Sequence, residues 1–473
     1  MEMEINDSGN ENEIRVSMPP KKIIIKIKPT VFTILTEEAP AIEEINFIMT
    51  DILLVDPPPP KINISPKLNN KSFNGEWEIK INAHTTIIIK LFKGESSCVD
   101  YLVFEGYVDD NTNAGDALCI LESTKTTDKS SRNTAVNQRI TKFTVYDRSF
   151  PKSKARKIMF YNEEWNGNKL TDTGAFGFKL MKSLNIEAYH VKNNKAENLY
   201  EKYAVTAFQT IPELITAKNK IKEKLGNVSI KINNINNDNE YCISCKLDKG
   251  TSKNSGKISH DPNVGLVCGL ANFIHSKNKE ATITIQRHNI SQEYFDKSPK
   301  SKFWYAVNNI PINFENIQNI TFPSLPAKYF TLEKRCTEKL ATILCSQVIS
   351  KDYKCIFSNH SGCALSNIKT HDKDITVERT MPRPDILFHN NEKNELFIIE
   401  GKIEKDIKLG IIQLKDDHLE RFILLLKTAY PECVIKKGLC VTIDSIENIQ
   451  KYQSLEYPVV FALDSNGKYD SML

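Results

Sequence analysis

The sequence predicts an α/β (α+β) fold with a mixed sheet, built on the element order α-β-β-β-α-β and present as two such cores. Three observations lead to this prediction. In residues 332–443 an amphipathic helix, three apolar strands, a second amphipathic helix and a buried strand follow one another. Residues 76–184 show a similar run of strands followed by helical periodicity. In each region an apolar strand ends in a Glu and a Lys, at residues 117–125 and 396–402.

The composition is that of a globular chain. Its 473 residues are 40% hydrophobic and 26% charged, which excludes a collagen, a small disulfide scaffold and a wholly disordered chain. The net charge of +4 does not identify a partner. No apolar run is long enough for a transmembrane helix, and the polar N-terminus does not resemble a secretory signal. We therefore expect a cytoplasmic protein without membrane contact, whose eleven cysteines are reduced.

Shifts in composition divide the chain into four segments. Residues 1–70 are predicted to form an N-terminal arm with a stiff Pro-rich linker at its end. Residues 71–202 form the first core, and residues 326–473 form the second. Residues 203–325 are less regular and are interpreted as a middle segment.

One cysteine pair in the middle segment has zinc-ligand spacing. Cys242 and Cys245 are separated by two residues, as in many zinc sites. The nearby candidates for the remaining ligands, His260, Cys268 and His275, are irregularly spaced. The pattern favours two strand cysteines, with a zinc site as the alternative.

The clearest motif lies in the second core. Asp385 is followed by fourteen residues and then by Glu400-Gly401-Lys402. Strand side chains alternate between faces, so Glu400 and Lys402 point the same way. A turn near Asn391 would fold the two strands into a hairpin and set Asp385 beside Glu400. Two carboxylates and a lysine suit Mg²⁺-assisted hydrolysis of a phosphodiester, because the carboxylates hold the ion and the ammonium stabilises developing charge. A third ligand would come from nearby acids, namely Glu333, Glu338 or Glu378.

These residues, in this order of elements, resemble the PD-(D/E)XK nuclease superfamily, which includes most type II restriction endonucleases. The resemblance covers residues 330–445 and rests on two blocks, Arg383-Pro384-Asp385 and Ile398-Ile399-Glu400-Gly401-Lys402. It implies a restriction-endonuclease-like core, Mg²⁺ as cofactor and double-stranded DNA as substrate. It also implies that Asp385 and Glu400 hold the metal, that these two and Lys402 are catalytic, and that a cognate DNA methyltransferase is the genetic partner of a monomer or homodimer.

A second block in the first core looks like a variant of this motif. The apolar strand ends in Glu122, and Lys125 follows three residues later. The block resembles the active-site region of type II restriction enzymes with an E-x-x-K motif, which implies catalytic roles for Glu122 and Lys125. Residues three apart face opposite sides of a regular strand, so Lys125 requires a bulge or an end of the strand at Thr124.

Counting residues from the predicted turn gives the residue that pairs with Glu122 across the hairpin. With a turn centred near Asn113, Glu122 pairs with residues 103–105, and Glu105 becomes the second metal ligand. Asp110 is the fallback.

The segment that follows, residues 125–157, is basic. A solvated charged face is the usual explanation for such a run. Interleaved hydroxyl and amide side chains favour contacts to phosphate instead. The candidate DNA contacts are Arg132, Asn133, Gln138, Arg139 and Lys142.

The leading hypothesis is a type II restriction endonuclease-like enzyme that cuts double-stranded DNA at a specific sequence with Mg²⁺. Either the chain has two distinct nicking sites, or one of its two cores has become a DNA-reading module. Residues 203–325 would then help to read the DNA. One alternative is a non-catalytic DNA-binding adaptor with a degenerate nuclease fold, against which the Asp385, Glu400 and Lys402 set argues. Another is a repair or structure-specific nuclease, a class whose members are often shorter.

Overall fold

The computed structural model describes most of the chain. The described residues are 3–6, 13–18, 21–26, 30–37, 42–55, 64–95, 98–124, 135–161, 169–192, 195–221, 228–232, 239–246, 262–288, 306–307, 309–314, 324–332, 337–349, 353–358, 367–369, 374–376 and 381–472. They form a mixed α/β protein whose sheets contain parallel and antiparallel pairs, as the sequence predicts.

The N-terminal half contains a small antiparallel sheet and then a large mixed one. The small sheet consists of β1 (Met3–Asn6), β2 (Glu13–Met18) and β3 (Lys21–Lys26). The elements that follow are β4 (Thr30–Thr36), α1 (Ile42–Phe47), β5 (Ser65–Asn69), β6 (Ser72–Lys80), β7 (Thr85–Gly94), β8 (Tyr101–Glu105), β9 (Cys119–Thr124), α2 (Ala135–Ser149), β10 (Arg156–Tyr161), α3 (Asp172–Ser183), β11 (Ile186–Lys192), β12 (Lys195–Asn198) and α4 (Leu199–Lys202). A π-helical turn, Ile48–Ile52, extends α1.

Within the described residues the large sheet has ten strands. Nine of them follow the order β12-β11-β10-β9-β8-β4-β7-β6-β5, and the tenth, Phe330–Leu332, pairs with the end of β7. Strand β4 is parallel to β7 and antiparallel to β8, while β9 is antiparallel to β8 and parallel to β10.

The position of β4 corrects the predicted boundary at residue 70. The sequence analysis assigned residues 1–70 to an arm, but β4 lies inside the sheet and α1 packs on it. Ile34 and Leu35 are both fully buried, and they belong to different hydrophobic clusters on the two faces of the sheet. An apolar strand buried on both faces is a central strand, so the first core begins at residue 30.

The middle segment forms a third sheet. Its elements are α5 (Ile211–Lys220), β13 (Val228–Ile232), β14 (Glu240–Lys246), α6 (Pro262–Lys277), β15 (Thr282–His288) and β16 (Ile312–Phe314), and they are followed by β17 (Phe330–Leu332) of the large sheet. The apolar helix α6 contacts α2, and the residues between them belong to one hydrophobic cluster with one face of the large sheet. The middle segment therefore shares a core with the first one.

The C-terminal part contains a mixed sheet of six strands among the described residues. Its elements are α7 (Glu338–Val348), β18 (Lys354–Ser358), β19 (Asn367–Lys369), β20 (Asp374–Thr376), β21 (Ile386–Asn390), β22 (Glu395–Ile403), α8 (Ile407–Gln413), α9 (Asp416–Ala429), β23 (Val434–Ile443), β24 (Val459–Asp464) and β25 (Tyr469–Ser471). The strand order is β18-β21-β22-β23-β24-β25, with β19 and β20 paired separately. Strands β18, β21 and β22 are antiparallel neighbours, and β22, β23 and β24 are parallel neighbours.

Helix α7 lies between the two large sheets. The side chain of Thr337 caps it by accepting the N–H of Leu340, and its apolar face belongs to the hydrophobic cluster that contains residues of both sheets. The indole N–H of the fully buried Trp77 in β6 donates to Gln347 Oε1 on α7 at 3.0 Å. The first and second cores are therefore in direct contact through this helix.

No helix among the described residues is long and apolar enough to cross a membrane.

Candidate functional site

Asp385 and Glu400 face each other in the C-terminal sheet. Strands β21 and β22 pair Ile386 with Ile399, so the next antiparallel pair is Asp385 and Glu400. The N–H of Gly401 donates to Asp385 Oδ2 at 2.8 Å, which ties the aspartate to the neighbouring strand. The structure thus brings together the two carboxylates that the hairpin spacing predicts to be neighbours.

Lys402 completes this cluster from the same strand. Its ammonium donates to Glu400 Oε1 at 2.8 Å and to the carbonyl oxygen of Gly401 at 2.5 Å. Glu338, in the first turn of α7, lies with Oε1 at 3.8 Å from the same Nζ atom. Helix α8 passes close to the aliphatic stem of Lys402, because a Cβ on Gly410 would lie 2.8 Å from Lys402 Cγ.

Burial dominates the electrostatics of this C-terminal site. It raises the pKa of Glu400 to about 7, with Asp385 adding to the rise and Lys402 opposing it. Burial also raises the pKa of Asp385 and of Glu338 above their usual values. For Lys402 burial alone would lower the pKa, but Glu400 and Asp385 outweigh it and raise the pKa, so the side chain remains an ammonium ion. Among the described residues, the carboxyl groups of Asp385, Glu400 and Glu338 interact with the ammonium of Lys402.

The oxygen ligands of this cluster fit Mg²⁺, which is usually held by one or two carboxylates together with waters and substrate phosphate. No set of three or more His, Cys, Asp or Glu side chains in the described part of the chain is arranged to hold a metal ion by itself. Asp385 and Glu400 would be the protein ligands, with phosphate and water as the rest. Glu333 and Glu378, the other two acids considered from the sequence, lie outside the described residues.

In the first core, the carboxylate that faces Glu122 differs from the predicted one. Strands β8 and β9 pair Tyr101 with Leu121, so the residue opposite Glu122 is Asp100. Asp100 Oδ2 accepts the N–H of Ser123 at 2.9 Å, which repeats the bond between Asp385 and Gly401. The two carboxylates of this N-terminal site are therefore Asp100 and Glu122.

Glu105 was predicted as a metal ligand, and its position is incompatible with that role beside Glu122. It is exposed, it pairs with Phe32 of β4, and it lies five residues beyond Asp100, about 16 Å along the strand. The midpoint of the β8–β9 connection is residue 111 rather than 113, since residues 101 and 121 pair. Asp110, the fallback, accepts the N–H of Leu332 at 2.9 Å instead.

Two residues predicted to contact DNA belong to this N-terminal site. Lys142 on α2 donates to Glu122 Oε2 at 2.7 Å and to Asp100 Oδ1 at 3.0 Å. Arg139, one turn earlier on the same face, has Nη1 at 3.9 Å from Glu122 Oε1. Both side chains turn towards the buried carboxylate, because the face of α2 that carries them packs on the sheet. The sequence analysis predicted that Arg139 and Lys142 contact DNA phosphate; in the structure their cations lie at Glu122 instead.

Four more residues of the first core were predicted to be catalytic or to contact DNA. Lys125, Arg132 and Asn133 lie outside the described residues, and Gln138 is described only as part of the α2 backbone. The functional roles predicted for them stay predictions.

Burial also shapes the N-terminal site. Glu122 is 1% exposed, and burial with Asp100 beside it raises its pKa to about 8 against the opposing effect of Lys142. Burial would lower the pKa of Lys142, but Glu122 and Asp100 outweigh it and raise the pKa. The carboxylate of Glu44 on α1 accepts from Ser123 Oγ at 2.8 Å, so the helix before this sheet also supplies a buried acid.

Sequence reasoning missed Asp100 and Glu44, and it predicted Lys142 as a DNA contact but not as the partner of Glu122. Asp100 stands directly before an apolar strand, as Asp385 does, and this likeness was the available signal. Lys142 stands among apolar residues of a helix, at helical spacing from Arg139. A lysine on the buried face of a helix requires a carboxylate partner, which could have indicated its role. Glu44 gave no such signal.

The cysteine pair of the middle segment lies on one strand. Cys242 is buried in β14, and Cys245, three residues further along the same strand, is described only in its backbone. Cys268 is buried on α6. The zinc content of the purified protein would distinguish the two predicted alternatives, in which Cys242 and Cys245 are either strand cysteines without a metal or zinc ligands.

Comparisons of the chain with protein-family models, with curated proteins and with solved structures find no match.

Proposed function

We propose that the protein is a Mg²⁺-dependent endonuclease that hydrolyses phosphodiester bonds in double-stranded DNA, in the manner of type II restriction endonucleases. The observation that carries the proposal is the C-terminal site. There Asp385 and Glu400 face each other across two strands, and Lys402 lies on the face of Glu400. Glu338 adds a third carboxyl group near Lys402, and carboxylate oxygens suit a divalent metal ion.

Each residue of the site has a chemical task in this proposal. Asp385 and Glu400 would hold the ion, which polarises the phosphate and makes a bound water more acidic when present. The Gly401 N–H keeps Asp385 oriented, since it donates to Oδ2. Lys402 would donate to the phosphate oxygens as negative charge develops on them, and its low exposure strengthens that electrostatic effect.

The surrounding fold supports the same reaction class. The elements run α7, β18, β21, β22, α8 with α9, and β23, with two antiparallel strand pairs followed by a parallel pair. This order is the one that accompanies the Asp385 and Glu400-Gly401-Lys402 motif in the resemblance drawn from the sequence. We also propose that the protein acts in the cytoplasm and that a cognate DNA methyltransferase is its genetic partner.

A second candidate function concerns the first core. Lys142 bridges Asp100 and Glu122, so both carboxylates already have a cation. This favours a DNA-binding module with a degenerate nuclease fold for the first core, in place of a second nicking site. The middle segment, which shares a core with α2, would then contribute to the same DNA-binding part.

The test is incubation of the purified protein with supercoiled plasmid and Mg²⁺, with EDTA as control. Discrete fragments with mapped ends are expected in Mg²⁺ and intact plasmid in EDTA. Smears would favour a non-specific or structure-specific nuclease. Intact plasmid in Mg²⁺, together with DNA binding in a mobility-shift assay, would favour the adaptor and contradict the proposal.

A further inference from the structure

The lysine of the N-terminal site occupies a different place from the lysine of the C-terminal site. Lys142 Nζ lies 3.0 Å from Asp100 Oδ1 and 2.7 Å from Glu122 Oε2, so one ammonium bonds to both carboxylates. Lys402 Nζ bonds to Glu400 at 2.8 Å, whereas the hydrogen bond to Asp385 comes from the backbone of Gly401. In the first core, a side-chain cation therefore joins the facing pair by hydrogen bonds to both carboxylates, whereas Lys402 bonds to Glu400 and the backbone bonds to Asp385.

The balance of charge differs in the same direction. Asp100 and Glu122 have Lys142 between them and the guanidinium of Arg139 at 3.9 Å from Glu122, while another acid, the buried Glu44, accepts a hydrogen bond from the Ser123 hydroxyl. In the C-terminal site, the ammonium of Lys402 lies 2.8 Å from Glu400 Oε1 and 3.8 Å from Glu338 Oε1, and the Gly401 N–H donates to Asp385. A divalent ion placed between Asp100 and Glu122 would compete with two cations for the same oxygens, and repulsion at that distance is strong where water is excluded. The residues of the N-terminal site therefore do not fit a Mg²⁺ ion, although its strands match those of the other site.

We propose that Lys142 is a resident cation that takes the place of a divalent metal ion between Asp100 and Glu122. The chain then binds one divalent ion, at Asp385 and Glu400, and a single chain nicks one DNA strand. Two chains are needed to break both strands. This inference rests on the proposed function for the identity of the C-terminal site, but its central statement concerns the first core alone.

The test counts the Mn²⁺ ions that the full-length protein binds, from the loss of the free-ion electron paramagnetic resonance signal. The wild type is expected to bind one equivalent. Lys142→Met removes the ammonium, keeps the length of the side chain, and is expected to add a second equivalent. The matched control is Lys179→Met, because Lys179 forms a surface pair with Glu213 at 3.1 Å; this variant is expected to bind one equivalent.

Two further variants separate the outcomes. Glu122→Gln is expected to leave the wild-type count unchanged, and this arm remains informative if Lys142→Met fails to fold. A wild type with two equivalents, one of which is lost in Glu122→Gln, overturns the inference and supports two metal sites. A soluble, folded Lys142→Met protein that still binds one equivalent also overturns it. If Glu400→Gln leaves the count unchanged, the C-terminal assignment fails, which is a separate result from failure of the statement about Lys142.

Discussion

The two carboxylate sites of this protein share one backbone geometry and differ in the lysine that accompanies it. In both, an aspartate just before a strand accepts the N–H of the residue that follows a buried glutamate, at 2.9 Å for Asp100 and 2.8 Å for Asp385. The lysine comes from helix α2 in the first core and from strand β22 in the second. Strand pairing therefore fixes the positions of the carboxylates in both sites. The element that carries the lysine decides whether the ammonium bonds to both carboxylates or to the glutamate alone.

The residue after the glutamate differs as well. At Gly401 a Cβ would lie 2.5 Å from Thr342 Oγ1 and 3.2 Å from Asp385 Oδ2, so α7 approaches too closely for a side chain. At the equivalent place Ser123 has a side chain, and its hydroxyl donates to Glu44 on α1. The helix before each sheet therefore contacts this residue differently: the Thr342 side chain of α7 packs closely on the Gly401 backbone, whereas Glu44 of α1 accepts a hydrogen bond from Ser123.

The largest expected effect is on cleavage. Glu400→Gln removes a metal-binding carboxylate and Lys402→Met removes the ammonium, and each is expected to lower the cleavage rate by about 10³-fold in a plasmid assay with Mg²⁺. Glu122→Gln is expected to lower it by less than about tenfold, since that glutamate is already paired. The control is Lys436→Met, because Lys436 pairs with Glu395 at 2.6 Å at the other end of β22. Equal losses at Glu122 and Glu400 would remove the distinction between the sites.

The next largest effect is on stability, and here the larger change is expected at the N-terminal site. Lys142→Ala leaves two carboxylates without their bridging cation, one of them 1% exposed, and is expected to cost about 3 kcal/mol in the free energy of unfolding. The measurement is urea denaturation in EDTA. When Mn²⁺ at about 100 times its dissociation constant replaces EDTA, the variant should gain about 2.7 kcal/mol more than the wild type, because only the variant binds a second ion in its folded state. A Lys142→Ala protein as stable as the wild type would show that the bridge contributes nothing.

A smaller effect tests the residue after each glutamate. Gly401→Ala is expected to destabilise the protein by about 2 kcal/mol, since the added methyl group overpacks the contact with Thr342. It should also lower cleavage, because Asp385 must shift. Ser123→Ala is expected to cost about 1.5 kcal/mol through the lost hydrogen bond to Glu44, with little change in cleavage. Thermal denaturation and the plasmid assay measure the two quantities, and a stable, active Gly401→Ala protein would contradict the close packing.

The sequence predicts that Asp385, Glu400 and Lys402 are neighbours because these three residues belong to one hairpin. The β21–β22 hairpin has a short turn in which Asn390 accepts the N–H groups of Glu392 and Lys393, so the pairing of Asp385 with Glu400 follows from counting. Lys402 is two residues from Glu400 on the same strand, and alternation alone gives its face. The mixed α/β class is predicted for the same reason, from periodicity in each element.

The N-terminal site depends on structure that a local pattern does not contain. Residues 106–118 separate β8 from β9 and include a 3₁₀ turn, Ala114–Asp116, so the pairing is not symmetric about the middle of the polar segment. Lys142 reaches Glu122 only because α2 packs on the sheet, and β4 enters that sheet from residues 30–36. Pairing at a long distance along the chain is set by the packed core, which is why Asp100, and the bond of Lys142 to Glu122, were not predicted.

The smallest effect concerns the contact between the two cores. Gln347→Leu removes the acceptor of the Trp77 N–H and is expected to cost about 1 kcal/mol, because a fully buried donor loses its partner while the added apolar group compensates in part. If α7 joins the sheets into one cooperative unit, urea denaturation followed by Trp fluorescence and by circular dichroism should show the same single transition, shifted to lower urea. Two separated transitions in the variant would mean that the cores unfold independently, and the difference between the sites would then have to be measured on each core by itself.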